Sequence, residues 1–197
     1  MGRPVLFTVG HSTHPIPEFL RLLTANGVEQ IIDVRSVPRS RWNPQSNREG
    51  IAETLSGAGI RYVHMPGLGG LRKARPDSRN TGWEDAGFRG YADYMETGEF
   101  ERSLAELILE AGQGQTAIMC AESVPWRCHR SLIADVLTAR GMPVEHIFPD
   151  ERREPHRMTR MARVAEGRVT YPAGQAELPF DPSGKIGETG GGGKGVE

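Results

Sequence analysis

One segment of the chain concentrates side chains that can do chemistry, and it reads Cys120-Ala-Glu-Ser-Val-Pro-Trp-Arg-Cys-His-Arg130. It follows a buried apolar strand and precedes a helix, a place where backbone N–H groups and the positive helix end favour an anion. Nearby arginines also favour the thiolate form of a cysteine, which is its nucleophilic form. We predict Cys120 as a nucleophile or redox thiol, with Glu122 and His129 as proton carriers.

The residues leave other interpretations of this segment open. Cys120 could be a small core residue, and Cys128 could pack, act as the nucleophile itself or form a redox pair with Cys120. A third interpretation is a soft metal site assembled from Cys120, Cys128, His129 and His11. The Cys-x7-Cys-His spacing is not a familiar zinc-knuckle spacing, and we predict no cofactor.

A second group of polar residues surrounds the sequence Asp33-Val-Arg-Ser-Val-Pro-Arg-Ser-Arg41. Arginine suits phosphate and carboxylate because its planar head makes two parallel hydrogen bonds, although an arginine run is often only a solvated surface. Asp33 is included among the catalytic candidates. The residues predicted to bind an anionic substrate are Arg35, Arg39, Arg41, Arg127, Arg130, His11 and Ser12.

The elements that must position these residues alternate between strand and helix. Apolar runs predict strands over 5–9, 30–34, 60–64, 116–119 and 144–148, and helical spacing predicts helices over 15–26, 47–57, 88–97, 99–111 and 129–140. This alternation predicts an α/β fold over residues 1–150, with a mostly parallel sheet of about five strands flanked by helices. Ligands of such sheets bind beyond the carboxyl ends of the strands, where the polar segments fall.

Residues 151–197 differ in composition, because hydrophobic periodicity fades and arginine becomes frequent. They predict a basic, partly disordered C-terminal tail. Within the tail, Gln175, Leu178 and Phe180 resemble the bacterial sliding-clamp-binding peptide, Gln-x-x-Leu-x-Phe. The alternative is a segment that folds back on its own domain. The arginines before it would suit DNA phosphates.

Composition limits the classes of protein to consider. The chain has 197 residues, a formal net charge of −1 and two cysteines. A chain of this length is expected to form one domain with a single hydrophobic core, plus a tail. No apolar run is long enough to cross a membrane and the first residues do not resemble a signal peptide, so we expect a cytoplasmic protein without a membrane partner. Two cysteines cannot make a disulfide scaffold.

The motifs Thr8-Val-Gly-His-Ser12, Asp33 to Arg41, Leu68-Gly-Gly70 and Cys120 to Arg130 resemble, in order and spacing, the domain of unknown function 488 family. The resemblance implies membership over about residues 5–150 and no specific reaction. A more distant similarity is to rhodanese-like domains, which place an Asp-x-Arg at one strand end and a cysteine at the start of an anion-binding loop. The tyrosine-phosphatase loop also joins a cysteine to an arginine, with five residues between them, whereas six separate Cys120 from Arg127 here. The sequence therefore does not predict sulfur transfer or phosphatase activity specifically.

Three functions are compatible with these observations. The leading hypothesis is an enzyme that acts through Cys120 on an anionic substrate, with a nucleotide or nucleic acid as the expected class and DNA repair as the expected setting. The second is a non-catalytic DNA-repair accessory module that binds nucleic acid and the sliding clamp. The third is a metal-dependent hydrolase.

Overall fold

A computed structural model of the chain describes residues 5–41 and 43–174. Six strands form one sheet in the order β3-β2-β4-β1-β5-β6, parallel except for the last. The strands are β1 (Leu6–Gly10), β2 (Gln30–Asp33), β3 (Arg61–His64), β4 (Thr116–Cys120), β5 (Val144–Ile147) and β6 (Arg153–Pro155). The predicted α/β fold with a mostly parallel sheet is confirmed, and the predicted strands lie within two residues of the observed bounds.

Five helices cover the two faces of this sheet, as expected for parallel strands that are buried on both sides. They are α1 (Ile16–Ala25), α2 (Arg48–Gly57), α3 (Ala86–Met95), α4 (Gly98–Ala111) and α5 (Arg130–Ala139). Two apolar clusters result, one under α1 and α2 and the other under α3, α4 and α5. Side chains alternate between them along β4, so Met119 packs in the first cluster and Cys120 in the second.

Local sequence explains where the helices on the second face begin. The side chain of Asp85 accepts a hydrogen bond from the Phe88 N–H and so caps α3. Thr97 caps α4 in the same way, through the Phe100 N–H. Such caps satisfy amides at the helix N-terminus that have no partner within the helix.

The predicted boundary at residue 150 needs correction, because residues 151–174 belong to the folded domain. Strand β6 pairs antiparallel with β5, and β7 (Arg163–Ala165) forms a hairpin with β8 (Arg168–Thr170). Tyr171 is fully buried, and its hydroxyl donates to Asp135 on α5 at 2.8 Å. These strands have three residues each, too short for a periodic pattern in the sequence.

In the described ranges, no helix has the length and apolar character that a membrane span requires.

Candidate functional site

The polar segments after β2 and β4 meet at one edge of the sheet, because the two strands are neighbours and run in parallel. Between them lies a cavity of about 370 Å³, within the size range of small-molecule sites. It is lined by Arg35, Ser36, Val37, Gly70, Leu71, Asp85, Gly87, Phe88, Cys120, Ala121, Glu122, Arg127, Cys128 and His129. Four of the predicted catalytic and metal-ligating residues are thus on one wall.

The two cysteines face each other in this wall. Cys120 is the last residue of β4, and Cys128 follows a single 3-10 turn, Pro125–Arg127, that returns the loop to the sheet just before α5. Their Sγ atoms are in contact, and the Cα atoms are 7.7 Å apart. The two sulfurs are therefore close enough to react with each other or to share a metal ion, and both interpretations of Cys128 stay open.

Three N–H groups point at the two sulfur atoms. Cys120 Sγ accepts from the Glu122 N–H and from Arg130 Nη1, both at 3.3 Å. Cys128 Sγ lies 3.5 Å from the donating Arg130 N–H, in the first turn of α5. Donors and positive charge at these distances stabilise a thiolate over a thiol, so the reduced pair is set up for nucleophilic chemistry.

Arg130 serves the loop rather than the substrate, which corrects its predicted anion-binding role. Only 1% of its surface is exposed, and its guanidinium donates to the carbonyls of Glu122 and, at 2.8 Å, Ser123. Burial lowers its pKa to about 10, so it stays charged at neutral pH. Gly10 allows this arrangement, because a Cβ there would overlap the Glu122 carbonyl oxygen.

His129 is held in one orientation by its surroundings. Its Nε2 lies 3.2 Å from the Val34 carbonyl oxygen, so this nitrogen carries the proton and donates. Its Nδ1 then has the free lone pair, 3.6 Å from Cys128 Sγ. The ring also packs on Tyr91, with centroids 5.0 Å apart. Burial lowers the pKa of His129 to about 4, so the ring is neutral at pH 7.

Asp33 and Arg35 form a buried ion pair at the second strand end. Arg35 Nη2 and Nε donate to the Asp33 carboxylate at 2.6 and 2.9 Å, and Tyr62 donates its hydroxyl to the same group at 2.7 Å. Asp33 is fully buried. It therefore positions Arg35, which lines the cavity, and its geometry does not favour the proton transfer predicted from the sequence.

His11 is part of the same arrangement and faces away from the sulfurs. Its Nδ1 donates to the Ser12 carbonyl at 2.9 Å, and its Nε2 accepts from Arg35 Nη1 at 3.0 Å. Burial, followed by the charge of Arg35, lowers its pKa to about 4. Both ring nitrogens are engaged, so His11 does not join Cys120, Cys128 and His129 as a metal ligand.

The remaining predicted residues separate into two groups. Glu122 and Arg127 are exposed and line the cavity. Arg39 and Arg41 are also exposed, but they do not line this cavity, and neither does Ser12. The clamp-like residues Gln175, Leu178 and Phe180 lie outside the described residues.

The opposite wall of the cavity comes from the loop between β3 and α3 and from the first turn of α3. Gly70, Leu71, Asp85 and Phe88 lie there. The loop is tethered, since the Leu71 N–H donates to Ser36 Oγ at 3.1 Å. The Leu68-Gly-Gly70 motif is the sequence signal for this wall. Gly70 is required there because a Cβ would come within 2.5 Å of His129 Nδ1.

Comparison with known proteins gives one finding. The sequence model of the family described as Domain of unknown function DUF488 matches residues 15–137. No curated protein and no solved structure matches the chain.

Proposed function

The chain belongs to the DUF488 family, which is described only as a domain of unknown function, so we propose a function from the site itself. The protein is an enzyme that acts through Cys120 on an anionic substrate, with Cys128 as the second thiol. The observation that carries this proposal is the meeting of the two sulfurs in the wall of a cavity that also presents Arg35, Arg127 and Glu122. A cysteine pair that served only packing would need neither the cavity nor the directed N–H groups.

Thiol–disulfide exchange is the reaction that this pair can complete by itself. The Cys120 thiolate attacks one sulfur of a substrate disulfide, and the other sulfur leaves as a thiolate. The Cys128 thiolate then attacks Cys120 Sγ, which closes the Cys120–Cys128 disulfide and releases the second product sulfur. The two cysteine protons end on the two product thiols, and an external thiol reductant restores the enzyme.

Cys120 is the attacking residue because the Arg130 guanidinium donates directly to its sulfur. Cys128 receives only a backbone N–H at 3.5 Å and faces the neutral His129 ring. Full positive charge stabilises a thiolate more than a backbone dipole does. Glu122, exposed at the rim, is placed to exchange protons with the leaving group.

The cavity walls support a substrate that is anionic at one end and apolar or planar at the other. Arg127 at the rim supplies an exposed guanidinium, while Leu71 and Phe88 supply apolar surface. A nucleotide has this character, because its base could rest on Phe88 while its phosphate meets Arg127. The nucleotide or nucleic-acid substrate predicted from the sequence remains part of the proposal on this ground.

Two small disulfides of opposite charge test the anion preference. Oxidised glutathione is anionic and cystamine is cationic, and the reduced Cys128→Ser variant should trap each on Cys120 as a mixed disulfide visible by intact mass. We expect faster trapping of oxidised glutathione, and Arg127→Glu should reverse the preference. The control Arg41→Glu changes an exposed arginine away from the cavity and should leave the preference unchanged.

Two results would overturn the proposal. One is trapping on Cys120 that is no faster than on the urea-denatured chain for either disulfide. The other is equal trapping with and without Arg127→Glu, both in the Cys128→Ser variant, which would remove the anion preference.

A DNA-maintenance setting rests on the sequence of the C-terminal region. The peptide around Gln175, Leu178 and Phe180 is a candidate for the sliding clamp, and exposed arginines such as Arg153 and Arg168 are candidates for DNA phosphates. A synthetic peptide of residues 172–183 should bind a bacterial sliding clamp in a fluorescence anisotropy titration, and Phe180→Ala should abolish binding. Equal binding of both peptides, or none of either, would remove the clamp from the proposal.

A further inference from the structure

The residues around the cysteine pair also have the geometry of a ligand set for a soft metal ion. The ligand atoms of Cys120, Cys128 and His129 all lie within 4.8 Å of one another. Among the described residues, these three side chains form the one group of three or more histidine, cysteine or acidic ligands that are close enough to share an ion. Two thiolates and an imidazole are the donors that zinc prefers.

The orientation of His129 is the independent observation that points to a ligand. Metal-bound histidines commonly donate their second ring nitrogen to a carbonyl or carboxylate, which fixes the tautomer. Here Nε2 donates to the Val34 carbonyl at 3.2 Å, and Nδ1 presents its lone pair toward Cys128 Sγ. The ring packs against Tyr91 on one side, and Gly70 lies close to Nδ1.

The surroundings of the sulfurs also suit metal-bound thiolates. N–H groups of Glu122 and Arg130 already donate to these sulfurs, and hydrogen bonds to the ligand atoms orient them in metal sites. The Cα atoms are 7.7 Å apart, beyond the range of about 4.4–6.8 Å that is usual for disulfides. Two thiolates that share a tetrahedral ion need their sulfurs only about 3.8 Å apart, given zinc–sulfur bonds of about 2.3 Å.

We propose that Cys120, Cys128 and His129, when the cysteines are reduced, bind one soft divalent cation such as Zn²⁺, with a fourth coordination position open to the cavity. Metal binding and disulfide formation then exclude each other, because both use the same two sulfurs. The idea that bound metal blocks disulfide exchange rests on the proposed function. The metal site itself does not depend on it.

The test uses the full chain, reduced and freed of metal, titrated with Co²⁺ and with Zn²⁺ alone. We expect one equivalent of Co²⁺ to give thiolate-to-cobalt charge-transfer absorption, and Zn²⁺ to displace it and to protect both thiols from alkylation. Oxidation with diamide should release the ion. His129→Gln should weaken Zn²⁺ binding at least tenfold, and the matched control His14→Gln, on a histidine outside the cluster, should not.

The absorption spectrum of the unmodified protein decides the matter even if a variant fails to fold. Absence of charge-transfer absorption at one equivalent of Co²⁺ overturns the metal site, as does equal Zn²⁺ affinity in His129→Gln. Trapping of disulfides by metal-free protein is measured separately. If trapping fails while metal binds, the proposed exchange reaction fails alone, and if metal fails while trapping occurs, only this inference does.

Discussion

Helix α5 carries two buried polar clusters that differ in what their hydrogen bonds serve. Asp135, in the middle of the helix, accepts from His156 at 2.9 Å, from the Thr159 N–H at 2.8 Å and from Tyr171 at 2.8 Å. At the start of the helix, the donors of Arg130 and Glu122 point instead at two sulfurs that line a cavity. The Asp135 carboxylate is fully buried and lines neither cavity, although its partners His156 and Thr159 border a separate one of about 750 Å³. The two sulfurs themselves line the cavity at the strand ends.

The comparison separates a polar group that stabilises the fold from one that is available for chemistry. The Asp135 cluster ties the C-terminal residues to the domain, and His156 continues it to His146, whose Nδ1 meets Thr8 Oγ1 at 2.7 Å. Each of these partners comes from a different part of the chain. Buried groups that satisfy one another in this way stabilise one arrangement of the chain.

The largest expected effect comes from breaking the Asp135 cluster. Asp135→Ala leaves three buried donors without an acceptor, and we expect a loss of about 3–5 kcal/mol in the free energy of unfolding. Urea denaturation followed by circular dichroism measures it. The control Asp150→Ala removes an exposed carboxylate and should cost about 0.5 kcal/mol or less. A loss below 1 kcal/mol for Asp135→Ala would contradict the structural role of the cluster.

Acid should have the next largest effect, through buried neutral histidines. Burial is the main cause that lowers the pKa of His146 to about 3, and that of His11 to about 4. Because the unfolded value is about 6.5, the unfolded chain binds more protons than the native protein between pH 6.5 and 4. Stability is therefore fully present above pH 6.5 and is lost as the pH falls.

These two histidines predict a loss of about 3 kcal/mol between pH 6.5 and 5, and His129, whose pKa burial also lowers to about 4, adds about half as much again. Urea denaturation at a series of pH values measures it. In His146→Gln the pH-dependent part should shrink by about a third, even though the variant is less stable at every pH. An unchanged slope in His146→Gln would mean that other groups account for the acid sensitivity.

The sequence predicted the elements of the fold well because their signals are local. Apolar runs such as Thr116–Cys120 and the helical spacing of Leu132, Ile133 and Val136 suffice to place a strand and a helix. The return of Tyr171 to Asp135, 36 positions earlier, has no local signal. It depends on a three-residue strand and on hydrogen bonds between distant residues, which a single sequence does not reveal.

The candidate site was predicted in part for the same reason. The convergence of Cys120, Cys128 and His129 follows from one loop between a strand and a helix, so neighbouring sequence contains it. Arginines were harder, because Arg130, Arg41 and Arg127 have the same chemistry in the sequence. Only the packing decides that Arg130 is buried against the loop, that Arg41 faces solvent and that Arg127 lines the cavity.

Substitutions of two glycines, one beside the sulfurs and one away from them, should have smaller effects on stability. Gly70→Ala places a Cβ about 2.5 Å from His129 Nδ1, and we expect it to displace the ring and to cost about 1–2 kcal/mol. Gly57→Ala, in a helix with no atom within 4 Å of the new Cβ, should stabilise the protein by about 0.5–1 kcal/mol. Disulfide trapping by Cys120 should change only in Gly70→Ala. Equal behaviour of the two variants would mean that Gly70 does not control the site.

The most direct test of the account is the alkylation rate of Cys120 in the reduced protein with chelator present. Iodoacetamide at pH 6.5 and peptide mass spectrometry compare the native protein with the same protein in urea. We expect Cys120 to react faster in the native protein, because Arg130 stabilises its thiolate, and Arg130→Met to abolish the difference. A native Cys120 that reacts no faster than in the unfolded chain would contradict the central claim that this fold activates the thiol.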